Sequence, residues 1–172
     1  MVDPLGLDGI YPDAIIFGGS GTIGILGGLT GGFEIVINSE SGEVSLFING
    51  GFEGGLTSFG INGKTGSIWN LDKNCDYEGS FLSANVAGGP LGKLGVSAFG
   101  TSDKLMSSKI IPGSYGSTIS IGASLIPATF SADSTVYKNL FTIPFLGYVL
   151  NPAASLINAI DSGSSLIPSL DN

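Results

Sequence analysis

Apolar and polar side chains follow one another at a period close to two along most of the chain. Clusters of Gly, Ser, Asn and acidic residues punctuate the pattern, as in half-buried β-strands joined by turns. Ile35-Val36-Ile37 and Val44-Ser45-Leu46-Phe47-Ile48 flank Ser39-Glu40-Ser41-Gly42-Glu43, which reads as a hairpin. A two-residue turn on Ser41-Gly42 pairs Ile35 with Ile48 and Ile37 with Leu46 on one face. Glu34, Asn38, Ser45 and Asn49 share the other with Val36 and Phe47. The simplest reading puts the first face inward and the polar one in water. Asn62-Gly63 is a dipeptide that tolerates positive φ at both residues, so 59–61 and 67–69 are predicted to form a second hairpin. Stretches 80–86, 95–99 and 117–125 continue the alternation, for eight to ten strands in all.

Glycine changes this picture. The 172 residues include 29 glycines, well above the ordinary share of about 7%. Glycine inside strands marks bulges, sharp curling or close backbone approach. Gly31-Gly32-Phe33-Glu34 returns as Gly50-Gly51-Phe52-Glu53, one copy per hairpin arm. The expected fold is therefore all-β: a curled antiparallel meander over residues 13–138, either a closed barrel or a two-layer sandwich. Residues 139–172 read as an apolar tail, in which Pro152 can open a short C-terminal helix.

Charge narrows the chemistry. Charged residues make up 12% of the chain, the net charge is −8, and there is no His. Arg and Gln are also absent, and all six basic residues are Lys. Without imidazole a Ser–His–Asp triad, a Cys–His dyad and an ordinary zinc hydrolase are excluded. Without guanidinium, and with an acidic balance, a nucleic acid is a poor partner. The single Cys75 forms no internal disulfide or metal cluster. No cofactor or metal site is expected, and no signal peptide is legible at the start of the chain.

The opening Asp3-Pro4-Leu5-Gly6-Leu7 resembles the D-P-x-G-L motif at the junction between the shell of Rhs-repeat polymorphic toxins and their C-terminal toxin domains. The resemblance implies that residues 1–12 are a junction segment. It also implies that Asp3 belongs to an aspartate pair that cuts after Leu7, with its partner aspartate upstream, so that this chain alone is not expected to cleave itself. Gly50-Gly51-Phe52, Ile68-Trp69-Asn70-Leu71 and Ser83-Ala84-Asn85-Val86-Ala87-Gly88-Gly89-Pro90-Leu91-Gly92 resemble the family called polymorphic toxin type 22. Membership in either implies an antibacterial effector that a secretion system exports into a target cell. It further implies two partners, the Rhs shell of the parent protein and a cognate immunity protein.

Three uncharged windows, 14–33, 110–132 and 139–160, are each long enough for a membrane crossing. Their glycines, alternation and prolines fit strands better than helices. The leading expectation is thus a toxin acting by membrane insertion or permeabilisation at the target-cell membrane. The alternatives are an enzyme using carboxylates or Lys and a protein-binding module. For the enzyme reading the candidate acids are Glu34 and Glu53, which the register sets about 13 Å apart, too wide for a glycosidase pair. The acidic run 72–78 lacks the glycine turn and final glutamate of a calcium loop. The glycine-rich run 18–24 lacks the lysine of a phosphate loop.

Overall fold

The computed structural model describes residues 11–24, 26–56, 59–89, 93–106, 109–124 and 128–144. The junction segment with Asp3 and the C-terminal helix expected from Pro152 lie outside these residues. Eight strands are formed: β1 (Ala14–Gly24), β2 (Gly27–Asn38), β3 (Val44–Leu56), β4 (Gly60–Trp69), β5 (Gly79–Gly88), β6 (Lys93–Ser102), β7 (Ile110–Ser124) and β8 (Ala128–Ile143). A 3-10 turn, Asn74–Tyr77, lies between β4 and β5. The strands close into an antiparallel barrel in the order β1-β2-β3-β8-β5-β6-β7-β4. The sandwich alternative is thereby set aside. Because β8 continues to Ile143, the first five residues of the stretch read as a tail belong to the barrel wall.

The connectivity is not a plain meander. Strand β4 returns to lie beside β1, and β8 returns to lie beside β5. Each half of the chain is thus a four-stranded Greek key, and the two keys close the wall by pairing β3 with β8 and β4 with β7. Inward-facing glycines let so narrow a wall curl. A Cβ on Gly51 would run into the Ser134 carbonyl oxygen, and one on Gly116 into the Ser67 carbonyl and the Phe99 ring.

Two local expectations are corrected. The β2–β3 register pairs Ile35 with Leu46 and Phe33 with Ile48, because the turn is longer than two residues. Asn38 Oδ1 accepts from the amides of Glu40 and Ser41 at 2.9 and 2.8 Å, and Gly42 takes φ +71°. Asn62-Gly63 is not a turn but the middle of β4, paired with Gly122 and Ile121 of β7 on one side and with Ser20 and Gly19 of β1 on the other. Its flanking residues find ladder partners on both edges, which a tight hairpin would forfeit.

One end of the lumen is packed. Ile16, Val36, Phe47, Ile68 and Phe81 point inward there, and the β4–β5 connector inserts Leu71 and Tyr77 among them. Full burial of such side chains stabilises the fold by about 1.5–3 kcal/mol each. The Tyr77 ring lies 4.9 Å from that of Phe81, 5.0 Å from Tyr137 and 5.3 Å from Phe47. Asn74 anchors the connector, donating to Ser45 Oγ at 2.8 Å and to the Val36 carbonyl at 3.2 Å.

Candidate functional site

The faces of the wall run opposite to the expectation from sequence. The residues grouped on each face of β2 and β3 are those foreseen, but Glu34 and Asn49 look into the lumen while Ile35 and Ile48 look out. The inversion holds around the whole circumference. Phe17, Phe33, Phe52, Ile61, Val86, Leu94, Ile121 and Phe130, one from each strand, are all exposed, with Ile61 at 74% and Ile121 at 70%. Of the charges carried by strands, Glu34, Glu53, Lys64, Lys93 and Asp133 line the lumen, and Lys138 is left on the outer face. The packed end keeps an apolar interior of the kind water-soluble barrels have, while the rest of the lumen is polar behind an apolar outer face, the arrangement found in barrels that lie in lipid.

The two ends also differ. Odd and even strands alternate around the barrel, so connectors leaving even strands gather at one end and those leaving odd strands at the other. The first set, 39–43, 70–78 and 103–109, holds Glu40, Glu43, Asp72, Lys73, Asp76, Glu78, Asp103, Lys104 and Lys109. The second set, 25–26, 57–59, 89–92 and 125–127, holds no charged residue. At the charged end Trp69 pairs with Tyr115 across β4 and β7. Their rings stack at 6.1 Å and 16°, and Tyr115 is exposed. Aromatic pairs of this kind sit at the rims of membrane barrels.

Within the lumen Glu34 is fully engaged. Tyr137 donates to Oε1 at 2.7 Å and Tyr77 to Oε2 at 2.8 Å, Lys64 forms an ion pair with Oε1, and Asn49 lies within 3.5 Å. At 1% exposure the side chain is tolerated because both of its oxygens meet donors and a cation. Burial, and then the negative charge of Glu34, raises the Tyr77 hydroxyl well above its ordinary pKa, so it stays a neutral donor. Glu34 is thereby a latch for the packed end and has no free oxygen for acid–base work.

Glu53 meets a different neighbour. The structure does not pair it with Glu34 but sets it opposite Asp133 across β3 and β8. Asn85 and Ser83 hold Asp133 Oδ2 at 2.6 and 3.3 Å. Lys93, from β6, lines the same lumen. Asp133 and Lys93 were not picked out together by sequence reasoning, since nothing local relates residues 53, 93 and 133. Their common signal is a charge on the lumen parity of a strand, visible once the faces are known.

The remaining candidates are structural. Asp76 Oδ2 accepts from the Lys73 amide at 3.1 Å and closes the 3-10 turn, and Gly18 to Gly24 are part of β1. Among the described residues no three His, Cys, Asp or Glu side chains are placed to share a metal ion. No described helix is long and apolar enough to cross a membrane, which leaves crossing by strands untouched. No family profile, curated protein or solved structure matches the chain.

Proposed function

We propose that this chain is an antibacterial effector of the Rhs type that acts by inserting its barrel into the target-cell membrane. The observation that carries the reading is the exposed apolar belt contributed by all eight strands, set around a lumen that holds every strand charge except Lys138. A belt that runs around the full circumference fits a surrounding solvent, which lipid is, better than a single docked partner. The shortest strands have 10 residues. At about 3.3 Å per residue and a tilt of about 40° they reach about 25 Å, the height of the apolar band of membrane barrels. The uncharged connectors lead into the bilayer, and the charged connectors stay on the side of delivery, where dragging them through hydrocarbon is avoided.

The packed end bears on how such a barrel harms a cell. Eight strands enclose a bore that side chains can fill, and here Tyr77, Phe81 and Phe47 fill it. Ion leakage through the lumen therefore requires displacement of the β4–β5 connector. The effector reading itself rests on the junction motif at Asp3–Leu7, and with it come the immunity protein and the Rhs shell as partners.

A second reading, a module that docks on a protein, is favoured by the connectivity. Bacterial membrane barrels are up-and-down, whereas this wall is built from two Greek keys. Flotation of the full chain with liposomes separates the two. Co-flotation that survives high salt and alkaline carbonate supports insertion, and recovery in the bottom fraction with intact vesicles removes it in favour of docking.

A further inference from the structure

The lumen beyond the Glu34 latch is a cavity of about 130 Å³, comparable with the cavity of about 150 Å³ that accepts benzene in another protein. Hydroxyls and amides are the commonest side-chain groups along its wall, and three charged atoms within the barrel lack a hydrogen-bond partner: Glu53 Oε2, Asp133 Oδ1 and Lys93 Nζ. Lys93 is 8% exposed, so its ammonium is held away from bulk water with nothing to donate to. Such a group is destabilising unless something in the lumen answers it.

The placement of the three charges is specific. Glu53 and Asp133 are directly opposed on neighbouring strands, an arrangement that like charges disfavour. Asp133 is held in orientation through Oδ2 by Asn85 and Ser83, which leaves Oδ1 free. Lys93 comes from β6, separated from β8 by β5. One wall of the lumen therefore presents two acceptors and the next wall but one presents a donor. Glu53 acts on the Lys93 ammonium through space without accepting from it, so a cation alone leaves Nζ without an acceptor and an anion alone leaves the two acid oxygens without a donor.

We propose that this lumen is a binding site for a small zwitterion of amino-acid size, its ammonium lodged between Glu53 and Asp133 and its carboxylate on Lys93. The cavity volume restricts the guest to roughly six heavy atoms, the count of benzene. The site belongs to the barrel interior, so it stands whether the outer belt meets lipid or protein.

The test is calorimetric titration of the full chain in nonionic detergent with glycine, alanine and β-alanine, beside methylammonium and acetate as probes carrying one charge each. Saturable binding of at least one zwitterion with a dissociation constant of about 1 mM or tighter is expected. Either single-charge probe should bind at least about tenfold more weakly, and Lys93→Met and Glu53→Gln, checked for folding by circular dichroism, should each lose about tenfold in affinity for the zwitterion. Absence of saturation by any zwitterion up to about 100 mM overturns the proposal. So does equal binding of acetate or methylammonium, or undiminished affinity in folded Lys93→Met. The single-charge probes act on the unaltered protein, so the result does not hang on the variants folding.

Discussion

Tyr77, at the end of the 3-10 turn, donates its hydroxyl to Glu34 Oε2 at 2.8 Å, joining residues 43 positions apart inside the packed end of the barrel. Through this bond the β4–β5 connector is tied to the centre of the lumen, and Lys64 on β4 completes the tie by its ion pair with the same carboxylate.

Glu34→Gln leaves Lys64 without its counter-charge in a buried site. We expect a loss of about 3–5 kcal/mol in unfolding free energy, measured by denaturant titration. Adding Lys64→Met should recover much of it, because the orphaned charge is then gone. In planar bilayers Glu34→Gln should also conduct ions more often than the parent chain, since Tyr77 is less firmly held; equal conductance would show that the connector does not close the lumen.

Gly51 faces the lumen with the Ser134 carbonyl against the position a Cβ would take. Gly51→Val should destabilise the barrel by about 1–3 kcal/mol, whereas Gly50→Val, on the outer parity of the same strand with only the Thr30 carbonyl 3.9 Å from such a Cβ, should be close to neutral. Thermal unfolding of the two variants side by side checks this.

These glycines show what the amino-acid order does and does not make legible. Alternation in Glu34-Ile35-Val36 and in Ser45-Leu46-Phe47-Ile48 is enough to sort residues into two faces and to place Glu34 with Asn49, because side-chain parity is local. It does not say which face meets solvent. That depends on closure, and closure pairs β3 with β8 and β4 with β7 across long separations. The same non-local pairing turned Asn62-Gly63 into mid-strand residues, since strand partners on both sides outweigh a local turn preference. It also made Asp133, not Glu34, the neighbour of Glu53. Trp69 stands at the rim against Tyr115.

The outer belt should be intolerant of charge in lipid and tolerant of it elsewhere. Phe33→Arg and Ile119→Arg, midway along β2 and β7 on the outer face, are each expected to cost about 2–4 kcal/mol of membrane stability near mid-bilayer, read as reduced co-flotation and reduced toxicity, with the circular dichroism of the detergent-solubilised barrel unchanged. Asn62, between Ile61 and Gly63, faces the lumen, and Asn62→Asp should leave flotation intact.

The end-to-end asymmetry carries its own expectation. Leu26→Lys, in the β1–β2 connector of the uncharged end, should slow insertion by a factor of about ten or more, the cost of taking one charge into the bilayer. Ser41→Lys, at the charged end, should have little effect on the same liposome time course. Equal slowing by both would mean that insertion has no leading end.

Trp69 is the one tryptophan of the chain and stands at the outer rim, so its fluorescence reports directly on what surrounds the barrel. Liposomes carrying lipids brominated either near the headgroup or deep in the acyl chain provide the measurement. Strong quenching by the shallow label and weaker quenching by the deep one is expected if the belt lies in the bilayer with the charged end at the interface. Emission unaffected by both labels, at lipid concentrations where vesicles are in large excess, would contradict it.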